Sequence, residues 1–386
     1  MRAVIPRRRL VLLALLVLAP LAARGDGTRL VPLPPQPSGL AFPTRAWEHA
    51  APATGGADVD ALGRALDLAF IERDPERPIR TRAVVVVHRG RVVVERYAPG
   101  FSASTRLLGW SMTKSVLNAL IGIAVRDGRL RLDAPADVPA WRSPGDPRHG
   151  ITLLQLLRMS SGLEWNESYE GSPLDSDVIS MLYGAGRRDM AAFAAGARLV
   201  DPPGTVFYYA SGSSLLLSGV LRRALPGGDA AYHDFPRREL FEPIGMRSAL
   251  LESDASGTFV ASSYSWATAL DWARFGYLYL RDGAWDGRRI LPVGWVDLAR
   301  TPAPASLEGE YGAHFWLNAG PPDGVRPPPI PGAPRDLFYA SGHEGQLVGV
   351  VPSRDLVVVR LGLTPSDGRF DPEGWLAEMI AAFPAR

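Results

Sequence analysis

Two β-branched runs near the N-terminus and two near the C-terminus carry the strand signal of this chain. Residues 83–88 and 91–97 flank a turn that contains Gly90, which is typical of a β-hairpin. Residues 347–351 and 356–363 predict a second pair of strands joined by a short turn. Because strands lie at both ends of the chain, the pattern favours one antiparallel sheet built from N- and C-terminal strands.

Between these ends the apolar positions follow helical spacing. Asp58 precedes an amphipathic segment, and Thr152 with Gln155 forms a capping box that opens a short helix. The other predicted helical segments are 111–126, 175–182, 190–195, 215–221, 272–280 and 373–383. We therefore predict an α+β fold with helices flanking the sheet and an inserted helical lobe, roughly residues 112–200. The chain has no G-x-S-x-G motif, which argues against the α/β-hydrolase fold.

Residues 1–23 have the outline of a signal peptide. A basic head is followed by an apolar run that starts at Leu10, and polar residues follow the run. The run is shorter than the ~20 residues that span a bilayer. We expect cleavage after Ala23, a Pro- and Gly-rich lead-in over 24–55 and one large domain over 56–386. This predicts an exported protein, periplasmic or secreted, with an uncleaved membrane tether as the alternative.

Composition excludes several classes of site and partner. The 386 residues include no cysteine, which excludes disulfides, thiolate metal sites, a cysteine nucleophile and a lipid anchor on cysteine. The net charge of +2 gives no field that points to nucleic acid, and the aromatic residues are dispersed. The six histidines lack metal-ligand spacing. We expect no metal, no other cofactor and no nucleic-acid partner.

The tetrad Ser111-Met112-Thr113-Lys114 carries the strongest chemical signal. One helical turn separates Ser111 from Lys114, so both lie on one face. A serine at a helix N-terminus lies near free N–H groups and the positive end of the dipole, which favours a developing oxyanion. An amine one turn further on can take the hydroxyl proton. Alone, the tetrad is equally a helix cap followed by a solvated lysine.

Three ordered motifs make the chain resemble the serine β-lactamase and penicillin-binding-protein superfamily. They are Trp110-Ser111-Met112-Thr113-Lys114-Ser115, Pro203-Gly204-Thr205-Val206-Phe207-Tyr208-Tyr209-Ala210-Ser211-Gly212 and Gly342-His343-Glu344-Gly345-Gln346. The resemblance spans roughly residues 80–380. Within the superfamily, the chain is most similar to the class C-type branch of carboxylesterases and 6-aminohexanoate-dimer hydrolases.

The resemblance implies a role for each motif. Ser111 matches the acylated nucleophile, and Lys114 matches the lysine that activates it. Tyr209 matches a general base in acylation that later acts as an acid toward the leaving group. Gly345 is assigned to substrate binding on the third-motif strand, where the Gln346 N–H would join the Ser111 N–H as the oxyanion hole.

Two departures from the family pattern bear on the substrate. Ser211 stands where many members carry asparagine, and His343 where penicillin-directed members carry lysine. Both are assigned to substrate binding, although His343 is alternatively a structural hydrogen-bonder. The permanent positive charge of a lysine favours a substrate carboxylate, whereas a histidine near neutral pH is mostly uncharged. Tyr169, in the helical lobe, is assigned to the core or surface, with lining of the cleft as the alternative.

The functional prediction is a secreted serine hydrolase that cleaves a small-molecule ester or amide through a Ser111 acyl-enzyme. Three alternatives remain open at this point. The chain is a β-lactamase or D,D-peptidase, a non-catalytic binder or sensor on the same fold, or a membrane-tethered structural protein of the envelope.

Overall fold

A computed structural model describes residues 30–39, 41–74, 76, 78–169, 172, 175–365 and 370–386. The predicted signal peptide over 1–23 lies outside these residues, so its cleavage and the export of the chain stay predictions. Within the described ranges, no helix has the length and apolar character needed to cross a membrane.

Eleven strands and eleven α-helices make up the regular structure of the described residues. The strands are β1 (Thr81–His88), β2 (Arg91–Tyr97), β3 (Leu107–Leu108), β4 (Leu250–Leu251), β5 (Ser265–Ala267), β6 (Ala284–Trp285), β7 (Arg288–Arg289), β8 (Trp316–Leu317), β9 (Phe338–Gly342), β10 (Gln346–Val351) and β11 (Leu356–Gly362). The helices are α1 (Val59–Phe70), α2 (Met112–Arg126), α3 (Leu153–Leu157), α4 (Asp177–Leu182), α5 (Met190–Ala195), α6 (Ser211–Ala224), α7 (Gly228–Pro236), α8 (Glu242–Ile244), α9 (Ala269–Leu280), α10 (Trp295–Arg300) and α11 (Pro372–Ala381). A π-helical segment, Arg237–Phe241, joins α7 to α8.

One antiparallel sheet contains the long strands, in the order β2-β1-β11-β10-β9-β8. β1 lies beside β11, with Thr81 opposite Gly362 and His88 opposite Leu356. This pairing confirms the prediction that N- and C-terminal strands join in one antiparallel sheet. Because helices cover both faces of the sheet, β1 and β11 consist almost entirely of buried residues, which explains their unbroken β-branched runs.

Alternate residues of β1 face two hydrophobic layers. Val84 and Val86 pack with the apolar faces of α1 and α11, while Val85 and Val87 pack with α2 and α9. The indole of Trp375 in α11 donates to a carbonyl of α1 at 2.9 Å, which joins the two helices of the outer layer. The sheet is thus the middle layer between the two clusters, because successive side chains of a strand point to opposite faces.

The helices capped by Asp58 and Thr152 begin where the sequence predicts, whereas α9, capped by Thr268, begins three residues before the predicted residue 272. The Asp58 carboxylate accepts from the N–H of Ala61 at 2.9 Å at the start of α1. Thr152 and Gln155 form the predicted reciprocal capping box at the start of α3. Each cap satisfies an N–H group that the first helical turn leaves without a partner.

The helical lobe extends further along the chain than the predicted 112–200. α6 packs against α3 and α5, so the lobe continues beyond residue 200. The segment predicted as helix over 215–221 begins at Ser211 and ends at Ala224. The start of α6 has no local side-chain cap; the carboxylate of Glu167, 44 residues earlier, accepts from the Ser211 N–H instead.

Helix α2 runs between the sheet and the lobe and is buried over residues 112–124. The side-chain oxygen of fully buried Asn118 accepts from the Tyr279 hydroxyl at 2.6 Å and from the Trp295 indole at 2.8 Å. Its amide nitrogen donates to the Ala313 carbonyl at 2.8 Å. One amide therefore ties α2 to α9, to α10 and to the loop before β8, which fixes the helix that begins at Ser111.

Replacing Asn118 by alanine should destabilise the fold. The hydroxyl of Tyr279 and the indole of Trp295 would lose their buried acceptor, and each such loss costs about 1–3 kcal/mol. We expect Asn118→Ala to lower the free energy of unfolding by about 3 kcal/mol, measured by urea denaturation. Val293→Ala, at a side chain that is 73% exposed, is the control and should change it by less than about 0.5 kcal/mol. Equal effects would contradict this role of Asn118.

Candidate active site

The chain presents Ser111 through a tight turn at the N-terminus of α2. Trp110, immediately before it, has a φ of +48°, a region that residues with side chains rarely adopt. The Trp110 ring packs edge-on against His343, with ring centroids 5.5 Å apart. Ser111 lies in the N-cap position of α2 and lines an open pocket. Its backbone N–H therefore lies at the positive end of the helix.

The amine of Lys114 lies behind Ser111, buried in the protein. Its Nζ donates to the hydroxyls of Ser111 and Ser211 and to the Ser262 carbonyl, each at 3.0 Å. These contacts use all three donors of an ammonium group. Burial lowers the pKa of Lys114 to about 8, and the nearby Glu167 carboxylate acts in the opposite direction. The neutral amine, which can accept a proton, is therefore accessible close to neutral pH.

One feature of the composition singles out this residue. Lys114 is the only lysine in the chain, and arginine accounts for the rest of the 42 basic residues. Arginine does not lose its proton in proteins, so it supplies positive charge but never a neutral amine. The chain therefore uses lysine only where an amine with a low pKa contacts a serine hydroxyl. A lone lysine among arginines is a signal that the amino-acid sequence itself carries.

Tyr209 precedes α6 and lies beside both residues. Its ring stacks on Trp316 with centroids 5.3 Å apart, and the Lys114 Nζ lies 4.8 Å from its ring centroid. Burial raises the pKa of Tyr209 well above 10, Glu167 adds to this, and a hydrogen bond with Ser111 acts in the opposite direction. Tyr209 therefore keeps its proton at neutral pH and is able to donate it.

Ser211, predicted to contact the substrate, is fully buried. Its hydroxyl donates to Oε1 of Glu167 at 2.6 Å and accepts from Lys114, and its N–H donates to Oε2 of Glu167 at 2.8 Å. Ser211 bonds Glu167 because α6 begins at this residue, and the first N–H of a helix needs an acceptor outside the helix. The structure thus brings Ser211 to the lysine and not to the pocket surface. Glu167 itself was not singled out in the sequence.

The third motif starts at the end of β9, continues through a turn and ends at the start of β10. His343 and Gly345 lie in the turn between β9 and β10, and both line the pocket. The Gly345 carbonyl accepts from Arg360 at 2.6 Å. Gln346 is the first residue of β10 and is 2% exposed, and its side chain exchanges hydrogen bonds with the backbone of Gly362 at 2.8 and 3.0 Å. Gln346 is therefore not among the residues that line the pocket.

The end of β9 is the strand segment that approaches Ser111. A Cβ atom on Gly342 would lie 2.3 Å from the carbonyl oxygen of Gly109, so only glycine permits this contact. Gly342 and the following His343 line the same pocket as Ser111. The three-residue turn after Gly342 is what carries Gln346 away onto the neighbouring strand. The sequence spacing alone does not reveal this division.

The pocket in front of Ser111 has a volume of about 550 Å³. Its carboxylate-bearing lining residues are Glu167, Glu344, Asp371 and Glu373. No lysine or arginine is among the lining residues in the part of the chain that the structure describes. Tyr169 lines this pocket, as the alternative to its core or surface assignment predicted, and its ring stacks on His343 with centroids 5.0 Å apart.

A sequence-family model described as Beta-lactamase matches residues 66–382. The chain belongs to the Beta-lactamase family. A 6-aminohexanoate-dimer hydrolase of Paenarthrobacter ureafaciens is 27% identical over 350 residues, 85% of this chain and 84% of that relative. The match confirms the resemblance to this superfamily and makes the chain a hydrolase of the β-lactamase fold.

Solved structures agree with this assignment of the fold. A candidate 6-aminohexanoate-dimer hydrolase from Bacillus anthracis superimposes with a TM-score of 0.64 at 25% identity, covering 78% of this chain and 79% of that chain. A family VIII carboxylesterase superimposes with a TM-score of 0.61 at 16% identity, covering 87% of this chain and 98% of that chain. The α+β fold predicted from the sequence is therefore confirmed for this member of the Beta-lactamase family.

The pKa of Lys114 predicts how hydrolysis depends on pH. If the neutral amine takes the Ser111 proton, kcat/KM rises with pH and levels off above about pH 8. Below that point it should fall about tenfold per pH unit, because the ammonium form cannot act as a base. The measurement is kcat/KM for an uncharged ester from about pH 6 to about pH 9.5. A value that stays constant across this range would contradict the role of the amine, and Lys114→Arg should be inactive.

Proposed function

We propose that this family member is an exported serine hydrolase that cleaves small ester or amide substrates through an acyl-enzyme on Ser111. The observation that carries the proposal is the 3.0 Å contact between the buried Lys114 amine and the Ser111 hydroxyl, at the mouth of an open pocket. A lysine with a pKa near 8 is suited to this chemistry at physiological pH. Export rests on the sequence of residues 1–23 alone.

The proposed acylation begins with proton transfer from Ser111 to the neutral Lys114 amine. The Ser111 oxygen forms a bond to the substrate carbonyl carbon, and the carbonyl oxygen takes the electron pair. When the carbonyl re-forms, the bond to the leaving group breaks and Tyr209 gives its proton to the departing alkoxide or amine. The Lys114 ammonium returns a proton to Tyr209, and water then hydrolyses the acyl-enzyme by the same relay in reverse.

This scheme gives Lys114 the role of base that the family resemblance assigned to Tyr209. The support is electrostatic: burial lowers the lysine pKa and raises the tyrosine pKa, so the amine is the group able to lose its proton first. For the oxyanion we propose the N–H of Ser111 and, in place of Gln346, the N–H of His343. His343 directly follows Gly342, whose backbone lies against the Ser111 segment.

The pocket favours uncharged or cationic substrates. Its carboxylates would repel a substrate carboxylate, and no lysine or arginine lines it among the residues that the structure describes. The Paenarthrobacter relative is named for an amide substrate and one structural neighbour for esters, so both bond types belong to the proposal. β-Lactam hydrolysis, peptidase activity and binding without catalysis are the alternatives to this proposal.

We predict that kcat/KM for p-nitrophenyl butyrate exceeds that for nitrocefin, because no lysine or arginine among the described residues lines the pocket to receive the nitrocefin carboxylate. His343→Lys should shift the ratio about five- to tenfold toward nitrocefin, because a charge-assisted hydrogen bond is about twice as strong as a neutral one. His49→Lys is the matched control, since His49 is exposed and lies outside the pocket.

Three results would contradict the proposal in different ways. A higher kcat/KM for nitrocefin would identify a β-lactamase. The absence of any hydrolysis across esters, amides and β-lactams would favour a non-catalytic binder. An unchanged ratio in His343→Lys would mean that residue 343 does not contact the substrate.

A further inference from the structure

We propose that Glu167 is a positioning residue for Lys114 that acts through the hydroxyl of Ser211. The inference rests on the proposed function, because it gives the amine its direction toward Ser111. Glu167 and Ser211 are 44 residues apart in sequence and meet through two hydrogen bonds. Glu167 lies on the loop before α4, and Ser211 is the first residue of α6.

The Ser211 hydroxyl has a single proton, and its partner is fixed. That proton is donated to Oε1 of Glu167 at 2.6 Å. A carboxylate accepts and does not donate, so the hydroxyl cannot turn round. The Ser211 oxygen is then left as an acceptor for the Lys114 amine, at 3.0 Å. Glu167 therefore decides the direction of the hydrogen bond between Ser211 and Lys114.

This direction determines where the lone pair of the neutral amine points. A neutral amine has two hydrogens and one lone pair. The Ser262 carbonyl and the Ser211 oxygen are both held as acceptors, so they take the two hydrogens. The lone pair is left for the third neighbour, the Ser111 hydroxyl. Glu167 thus aims the base at the nucleophile through Ser211 and not through a hydrogen bond of its own to Ser111 or Lys114.

Glu167 is itself held by groups that only donate. Its Oε2 accepts from the Ser211 N–H at 2.8 Å and from the Trp165 indole at 2.6 Å. It also lies at the N-terminus of the fourteen-residue helix α6, whose dipole favours a negative charge. Neither N–H can reverse, so Oε2 must be an acceptor, while Oε1 is the carboxylate oxygen that takes the Ser211 hydroxyl proton.

The charge of Glu167 also acts on the amine directly. Among the described residues, the other titratable groups that face Lys114 are Tyr209 beside the amine and His314 against its carbonyl. Burial lowers the pKa of His314 to about 3 and raises that of Tyr209, so both are uncharged at neutral pH. Tyr311, edge-on to Tyr209, and Tyr169, which interacts with the Ser211 hydroxyl, are likewise protonated, because burial raises the pKa of each. Glu167 is then the charge that opposes the lowering of the Lys114 pKa by burial.

The test uses the single lysine of the chain. Protein grown with [13Cε]lysine gives one side-chain resonance, and its shift with pH reports the ionisation of Lys114 in the intact protein. We expect Glu167→Gln to lower the midpoint by about one pH unit or more, because an opposite charge nearby favours the ammonium form. Glu167→Asp should keep the midpoint within about half a unit, because it keeps the charge.

Glu164→Gln is the matched control on the same loop. Glu164 pairs with Arg198 at the surface and does not line the pocket. The Lys114 titration midpoint of Glu164→Gln should therefore equal that of the wild type. An unchanged midpoint in Glu167→Gln would overturn the proposal. The titration does not depend on turnover, so its failure is distinguishable from a failure to hydrolyse esters or amides.

A second variant tests the route through Ser211 and also serves if Glu167→Gln does not fold. Ser211→Ala keeps the carboxylate and its backbone hydrogen bond but removes the hydroxyl. At about pH 9.5, where the amine is neutral, kcat/KM should still fall about tenfold or more, because the lone pair loses its fixed direction. An unchanged kcat/KM at this pH would overturn the route through Ser211.

Discussion

The site depends on the hydrogen bonds of the buried Lys114 amine. Removing an ammonium group from water is costly unless its hydrogen bonds are replaced. Here α2, α6 and the turn that contains Ser262 each supply one oxygen at 3.0 Å. Three separate parts of the chain must therefore be in place before the amine is satisfied. The same burial brings the lysine pKa to about 8, so the neutral amine that the proposed mechanism needs is accessible near neutral pH.

The two layers of the fold contribute different parts of the site. The helical lobe supplies Tyr209, Ser211 and Glu167, which surround the amine from one side. The sheet supplies the end of β9 and the turn with His343, which form the opposite wall of the pocket. α2 lies between them and is fixed by Asn118, so the position of Ser111 follows from the packing of both layers. A reaction site on rigid elements keeps its geometry without substrate.

Features set by neighbouring residues were predictable from the sequence, and features set by distant ones were not. The caps at Asp58 and Thr152, and the shared face of Ser111 and Lys114, arise within one helical turn. The unbroken β-branched runs predicted the sheet because strands that are buried on both faces need no alternation of apolar and polar residues. The start of α6 was missed because its cap, Glu167, is 44 residues away. The backbone N–H of Gln346 was assigned to the oxyanion hole from spacing, in which the turn that carries Gln346 to the next strand is not visible.

The central claim is that Ser111 is the nucleophile, and covalent labelling tests it most directly. The full chain is reacted with a fluorophosphonate probe, digested, and its labelled peptide mapped by mass spectrometry. We predict one adduct on Ser111, no adduct in Ser111→Ala, and slower labelling below about pH 8, where Lys114 is protonated. A label on another residue, or equal labelling of Ser111→Ala, would contradict the claim.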